Sequence, residues 1–227
     1  MNVLGLDTST AATAACLLRA DGHAFEVAPP PSALTARPAH ASELMPAIAL
    51  VLEQAALGFG DLDALAVGVG PGRFTGLRIG IATARAIASA RLLPVHPVSS
   101  LAALAAGAEA ELTLAVIDAR RGEAFAALYR GAEELWAPFV ADPAALAARI
   151  RAAGITALAV GDGAVGFRNV LEAAGARVAP EDSPLHVIRA LHVCRLASEG
   201  PVAAPEAVLP NYLRRPDAVP KPPVAHP

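Results

Sequence analysis

One run constrains the fold of this chain more than any other: Gly68-Val69-Gly70-Pro71-Gly72-Arg73-Phe74-Thr75-Gly76-Leu77-Arg78-Ile79-Gly80. An apolar stretch, 64–69, leads into it, and an alanine-rich helical stretch, 81–90, leads out. A strand, a turn and a helix therefore meet in one short span. Glycine reaches backbone angles closed to other residues, and proline fixes its own φ. Four glycines and a proline between 68 and 76 dictate an unusual path. Such a path lets a ligand phosphate or another piece of protein come close. The Gly-Lys-Ser/Thr ending of a phosphate loop is missing, however. Arg73 stands where a dinucleotide fingerprint, counted from Gly68 and Gly70, needs its third glycine. The free amides at the start of the next helix remain a place for an anion. The pattern as a whole favours a structural or interface loop.

The 227 residues suffice for one large domain or two small ones. Aromatic residues make up only 4%, so the core must be built from Ala, Leu, Val and Ile. A mean hydropathy of +0.47 does not make this a membrane protein. Charge, Gly or Pro cuts each apolar stretch before the roughly 18 residues that a spanning helix needs. The start, 1–6, lacks a basic segment and a cleavable apolar core, so a cytoplasmic location is expected. Cys16 and Cys194 are too few for a disulfide framework and lack metal-ligand spacing, so they read as buried thiols. A net charge of −3 and a pI of about 6.1 argue against a stand-alone nucleic-acid binder.

Along the chain, strands are predicted at 2–7, 12–19 and 23–28. A helix at 40–57 follows, with Leu44, Ile48, Val51, Leu52 and Ala55 at helical spacing. Pro46 either kinks it or marks its first turn. Strand 64–69, helix 76–91, strand 94–98 and helix 100–107, capped by Ser99, complete a first unit. The pattern then restarts. Strands at 112–118, 123–130 and 134–140 precede helix 143–153, capped by Asp142. Strand 156–160, helix 164–174, strand 176–179 and helix 185–199 follow. The reading is therefore α/β, with an N-terminal unit at 1–105, a C-terminal unit at 106–200 and a Pro-rich tail at 201–227. The last ten residues or so of the tail are expected to be mobile.

Two acidic turns occupy equivalent places in the units: Asp7-Thr8-Ser9-Thr10 and Asp118-Ala119-Arg120-Arg121-Gly122. A duplicated α/β unit with two such turns facing one cleft resembles the actin, Hsp70 and sugar-kinase superfamily, built on ribonuclease-H-like units. There the two turns hold the phosphates of ATP. In that reading Asp7, Thr8, Ser9 and Asp118 are degenerate nucleotide-site positions, with Gly161 and Gly163 on the adenosine side. The alternative is a pair of ordinary turns in which Asp and Ser bond their own backbone. His40 starts the first long helix, but the position one turn on, where a zinc-binding pair needs its second histidine, is Leu44. No Ser-His-Asp, Gly-x-Ser-x-Gly or Cys-His signature is readable. No catalytic residue and no metal ligand is assigned.

Together, Leu4-Gly5-Leu6-Asp7-Thr8-Ser9-Thr10, His40-Ala41-Ser42-Glu43-Leu44, the run 67–80, Asp118-Ala119-Arg120-Arg121-Gly122-Glu123 and Pro210-Asn211-Tyr212-Leu213-Arg214 resemble a bacterial family. It is that of the tRNA threonylcarbamoyladenosine biosynthesis protein TsaB. The resemblance spans residues 1 to about 215, and Arg73 departs from it where the family usually has Ser. It implies a non-catalytic subunit that pairs with the homologous TsaD and works with TsaE. TsaD carries the metal-binding histidine pair. It transfers threonylcarbamoyl, from an adenylate made by TsaC-type enzymes, to the adenosine 3′ of the anticodon in tRNAs reading codons that begin with A. It also implies a homodimer when the chain is alone, contact with tRNA only through the complex, no membrane, and ATP or ADP, if any, at the joint interface with TsaD. The expected interface residues are His40, Glu43, Leu44, Phe74, Thr75, Gly76, Arg78, Gly80 and Ala84. The small residues of helix 76–91 would let a partner's helices approach closely. Against this stand an ATP-dependent kinase-like enzyme of the same superfamily, using Asp7 and Asp118, and a metalloprotease.

Overall fold

β1 (Val3–Asp7) lies at the centre of a five-stranded sheet, antiparallel to β2 (Ala14–Leu18) and parallel to β4 (Ala64–Gly70). β3 (Ala24–Val27) extends the sheet beyond β2, and β5 (Val95–Ser99) extends it beyond β4, giving the order β3-β2-β1-β4-β5. A second sheet repeats this plan. Its order is β10-β9-β6-β7-β8, from β6 (Thr113–Arg120), β7 (Glu123–Arg130), β8 (Glu133–Ala141), β9 (Leu158–Val160) and β10 (Arg177–Val178). In each half a three-stranded antiparallel meander meets two parallel strands. The computed structural model describes residues 1–214, so the expected mobility of the last residues lies outside the described part.

Strand alternation sorts side chains between layers. Leu4, Leu6, Leu65 and Val67 face outward onto α1 (His40–Gln54) and α2 (Phe74–Arg91). Val3, Ala64 and Ala66 face inward, towards Ala115 and Ile117 of the second sheet. Between the sheets lie α3 (Ser100–Ala105) and α7 (Ala190–Ala197). Outside the second sheet, α4 (Pro143–Ala153) and α6 (Arg168–Glu172) pack on Leu114, Val116 and Leu128. Each fully buried leucine contributes about 1.5–3 kcal/mol, and alanine lets the layers come close. Cys16 and Cys194 are free thiols inside the inter-sheet core.

Ser99 accepts from the Ala102 amide and Asp142 from the Ala145 amide, so both predicted caps form. Pro46 lies inside α1. The helix expected at 164–174 is two short ones, α5 (Asp162–Gly166) and α6, separated by Phe167 at φ −111° and ψ 17°. The helix expected at 185–199 starts only at Ala190, because Pro184–His186 forms a 3-10 turn and the chain then runs extended. α7 follows the second unit in sequence yet packs on β1, β2, β4 and β5 of the first sheet. Glu26 of β3 receives the Leu191 amide and the Arg189 guanidinium, which fixes the start of that helix. Among the described residues no helix is long and apolar enough to cross a membrane.

Candidate functional site

The Gly-rich run folds over the Asp7–Thr10 turn. Arg73 donates its amide to the Ser9 carbonyl at 2.7 Å, and Thr8 donates its hydroxyl to the Gly76 carbonyl at 2.7 Å. These contacts explain the glycines. A Cβ on Gly68 would lie 1.8 Å from Asp7 Oδ2, and one on Gly76 would lie 2.0 Å from the Thr8 carbonyl oxygen. The first sequence expectation, that the path lets something come close, holds. What comes close is the chain's own first turn.

Asp7 is sealed beneath this loop. Its Oδ1 accepts from the Ser9 amide (2.8 Å) and the Ser9 hydroxyl (2.7 Å), and its Oδ2 accepts from Ser100 Oγ (2.9 Å). Burial pushes its pKa up, against the pull of those hydrogen bonds and of His40. Thr8 and Ser9 are equally buried. Asp7, Thr8 and Ser9, the degenerate nucleotide-site positions of the first turn, thus have their side-chain polar atoms engaged inside the fold and present no open surface in this structure. Ser100 has no local mark in the sequence beside Ser99, the cap of α3.

The second turn is more open. Asp118 and Asp162 line a cleft of about 890 Å³, with Arg73, Arg120, Glu181 and Asp182. Asp162 Oδ1 accepts from the Asp118 amide at 2.9 Å, while Asp118 accepts from the Arg120 amide and pairs with its guanidinium at 3.2 Å. Burial raises the pKa of Asp162, reinforced by Asp118 and opposed by Arg73 and two backbone amides. Gly161 and Gly163 press against β6. A Cβ on Gly161 would lie 2.1 Å from the Val116 carbonyl oxygen. Both glycines thus serve close packing within the chain. His186 accepts the Gly161 amide on Nδ1 and holds Pro180 O through Nε2, as a core histidine.

The expected interface set divides. His40, Leu44, Gly76, Gly80 and Ala84 are buried within the chain. A Cβ on Gly80 would lie 2.4 Å from Thr8 Oγ1, so Gly80 admits the chain's own first turn, Ala84 and Ala88 pack in the core beside the first sheet, and Ala82, Ala86 and Ala90 are exposed. His40 faces Thr10 O at 3.2 Å and Thr13 Oγ1 at 2.8 Å, and the same hydroxyl reaches Glu43 at 2.8 Å. Glu43, Phe74, Thr75 and Arg78 are exposed. On the outer face sequence reading had Ala86, among the small residues of helix 76–91, and missed the others. Met45, Phe59, Thr83, Ala86, Ile87 and Ala90 line an open, mostly apolar groove of about 610 Å³ where α1 meets α2, with Arg91 at its edge. It also gave no role to the segment at 210–214. Tyr212 stacks on Phe74 at 5.2 Å between ring centroids, the Arg78 guanidinium carbon lies 3.9 Å from the centroid of the same Phe74 ring, and Arg214 pairs with Glu123 of the second sheet at 3.1 Å.

Among the described residues no group of three or more His, Cys, Asp or Glu side chains is placed to hold a metal ion.

Comparison with known proteins places this geometry. A family model described as TsaD, tRNA N6-adenosine threonylcarbamoyltransferase, matches residues 33–165. An uncharacterized protein of Mycobacterium tuberculosis is 38% identical over 224 residues, covering 96% of this chain and 94% of that protein. The tRNA threonylcarbamoyladenosine biosynthesis protein TsaB of Haemophilus influenzae is 39% identical over 131 residues, covering 55% of this chain and 52% of that protein. The match to a Mycobacterium leprae protein spans 39% of that protein. A crystal structure of an uncharacterized Pseudomonas aeruginosa protein, described as similar to the peptidase YEAZ, superposes with a TM-score of 0.78. It is 31% identical, covering 94% of this chain and 99% of that one. On these matches, the chain is a member of the TsaB family.

Proposed function

We propose that this chain is a non-catalytic subunit in the formation of threonylcarbamoyladenosine in tRNA, pairing with a TsaD-type transferase and working with a TsaE-type protein. The observation that carries the reading is Asp7. An ATP-using relative would aim this carboxylate at its metal; here it is spent on three internal hydrogen bonds. A kinase-like enzyme needs Asp7 open, so that alternative loses its main residue. A metalloprotease or a transferase with its own metal needs a ligand at position 44, and Leu44 is 1% exposed in the apolar core.

Pairing is assigned to the outer face of α1 and α2. Met45 is 48% exposed and Phe59 36%, and with Ala86, Ile87 and Ala90 they form a surface that two facing helices would cover. In the absence of TsaD the same face would pair with a second copy. Contact with tRNA and any nucleotide would then belong to the assembled complex.

Reconstitution tests this. The chain, TsaD- and TsaE-type proteins of the same genome, ATP, threonylcarbamoyl-adenylate and tRNA are mixed in all combinations, and modified adenosine is measured by mass spectrometry. The chain alone should yield none, and TsaD with TsaE should need it. Transfer by the chain alone, or full transfer without it, would sink the proposal.

A further inference from the structure

His40, Thr13 and Glu43 form a chain of contacts that is one hydrogen short. His40 Nε2 lies 3.2 Å from the Thr10 carbonyl oxygen, and His40 Nδ1 lies 2.8 Å from Thr13 Oγ1. The Thr13 hydroxyl donates to Glu43 Oε2 at 2.8 Å. A carbonyl oxygen only accepts, so Nε2 carries a hydrogen. The single hydrogen of Thr13 goes to Glu43, so Nδ1 must carry one as well. Turning the Thr13 hydrogen towards Nδ1 moves the need to Glu43, which must then hold a hydrogen itself. Three contacts require three hydrogens, and a neutral imidazole with a hydroxyl supplies two. The set is therefore fully bonded only with one proton beyond a neutral His40 and an ionised Glu43.

The packing leaves that proton one way in along these contacts. His40 is 4% exposed and Thr13 7%, whereas Glu43 is exposed in the first turn of α1. On the Nε2 side α2 packs close: a Cβ on Gly76 would lie 3.2 Å from that nitrogen. Burial disfavours a charge on the ring, as does Arg73 ahead of α2. The Thr10 carbonyl, Asp7 at the end of β1 and Glu43 on α1 itself favour it.

We infer that Glu43 and Thr13 relay a proton between solvent and the buried ring of His40, and that its departure releases the Glu43 carboxylate from Thr13. A proton arriving from water adds to Glu43 Oε2. The Oε2–H bond breaks as a bond to Thr13 Oγ1 forms, and the hydrogen that Thr13 held passes to Nδ1. This leaves an imidazolium, a hydroxyl donating to a carboxylate, and no net charge on the set. The reverse path returns the proton to water. The Thr13 hydrogen then points at Nδ1, Oγ1 faces Oε2 with no hydrogen between them, and the set carries one negative charge. Rising pH thus unties the first turn of α1 from the residue ahead of β2 and frees a carboxylate at the surface there.

NMR of the full-length chain with ¹⁵N-labelled histidine, assigned with His40→Gln and titrated from neutral pH to about 4.5, tests this. Above its midpoint the His40 ring should be the Nε2–H tautomer. An Nδ1–H tautomer there would overturn the inference without recourse to any variant. Glu43→Gln should lower the proton affinity of His40 about tenfold, and Thr13→Val should lower it too. The two changes together should do little more than Thr13→Val alone, because the hydroxyl is the link. If Glu43→Gln keeps its full effect in the Thr13→Val background, Glu43 acts through its charge across space and the relay falls. Thr13→Ser retains the hydroxyl and should keep the natural midpoint. A midpoint as low as that of Thr13→Val would trace the effect to packing and overturn the relay.

Discussion

Ser100 donates its hydroxyl proton to Asp7 across 93 positions of sequence, with Oγ 2.9 Å from Oδ2, and the same oxygen accepts the Gly70 amide at 3.2 Å. One serine thus ties the first turn, the Gly-rich loop and the start of α3 together. It also completes the set of hydrogen bonds that takes Asp7 out of any phosphate chemistry. Ser100→Ala should leave a buried carboxylate oxygen and a backbone amide without partners, at a cost of about 2–3 kcal/mol. Urea denaturation at neutral pH measures this; a loss below about 0.5 kcal/mol would show that the bonds contribute little.

Gly80 and Ala86 sit six residues apart on α2 and should behave in opposite ways. Gly80→Arg would drive a side chain into Thr8 Oγ1, so it should destabilise the chain itself rather than spare it. The expected cost is at least about 3 kcal/mol, read as a lower melting temperature. Ala86→Asp lies on the exposed face, so the lone chain should melt within a few degrees of the natural one and fail to pair. A stably folded Gly80→Arg chain would contradict the packing described here.

His40 supplies a pH dependence. Burial lowers its pKa below 6.5, with Arg73 acting the same way and Thr10, Asp7 and Glu43 opposing. The folded state therefore holds the proton less well than the unfolded one. Stability from this residue is present above pH 6.5 and is lost as pH falls through the lowered value. His192 acts in the same direction, through burial and the charges of Arg189 and Arg195. Asp7 and Asp162, whose pKa values burial raises, act in the opposite direction, so the reading is a difference: from pH 7.5 down to about 5, His40→Gln should lose less stability, or gain more, than the natural chain. An unchanged slope would rule His40 out as a contributor.

Glu26 clamps α7 to the edge of the first sheet through the Arg189 guanidinium and the Leu191 amide. Its side chain is buried and that of Arg189 is 41% exposed, so water softens the loss of the pair. Glu26→Ala should cost about 2 kcal/mol. It should also speed amide exchange in α7, measurable by hydrogen–deuterium exchange. Uniform exchange changes across both sheets would argue against a local clamp.

The sequence by itself determined most of the local plan. Alternation and helical spacing marked the strands and the long helices. Ser99 and Asp142 announced their caps, the repeated strand-turn-strand-strand pattern announced two related sheets, and Leu44 stood where a metal ligand would be needed. These signals are legible because they come from interactions between residues close in the chain. Which way each face points is decided between residues far apart. Asp7 and Thr8 read as open turn residues until the loop from Gly68 to Gly80 covered them. Gly80 and Ala84 read as a partner's landing strip until the first turn and the sheet filled that side of α2. The placement of α7 on the first sheet, the stack of Tyr212 on Phe74 and the buried, unsatisfied Nε of Arg73 have no local signature. They follow from tertiary packing, which assigns each side chain to solvent, to core or to another chain only once the two sheets and their helices have met.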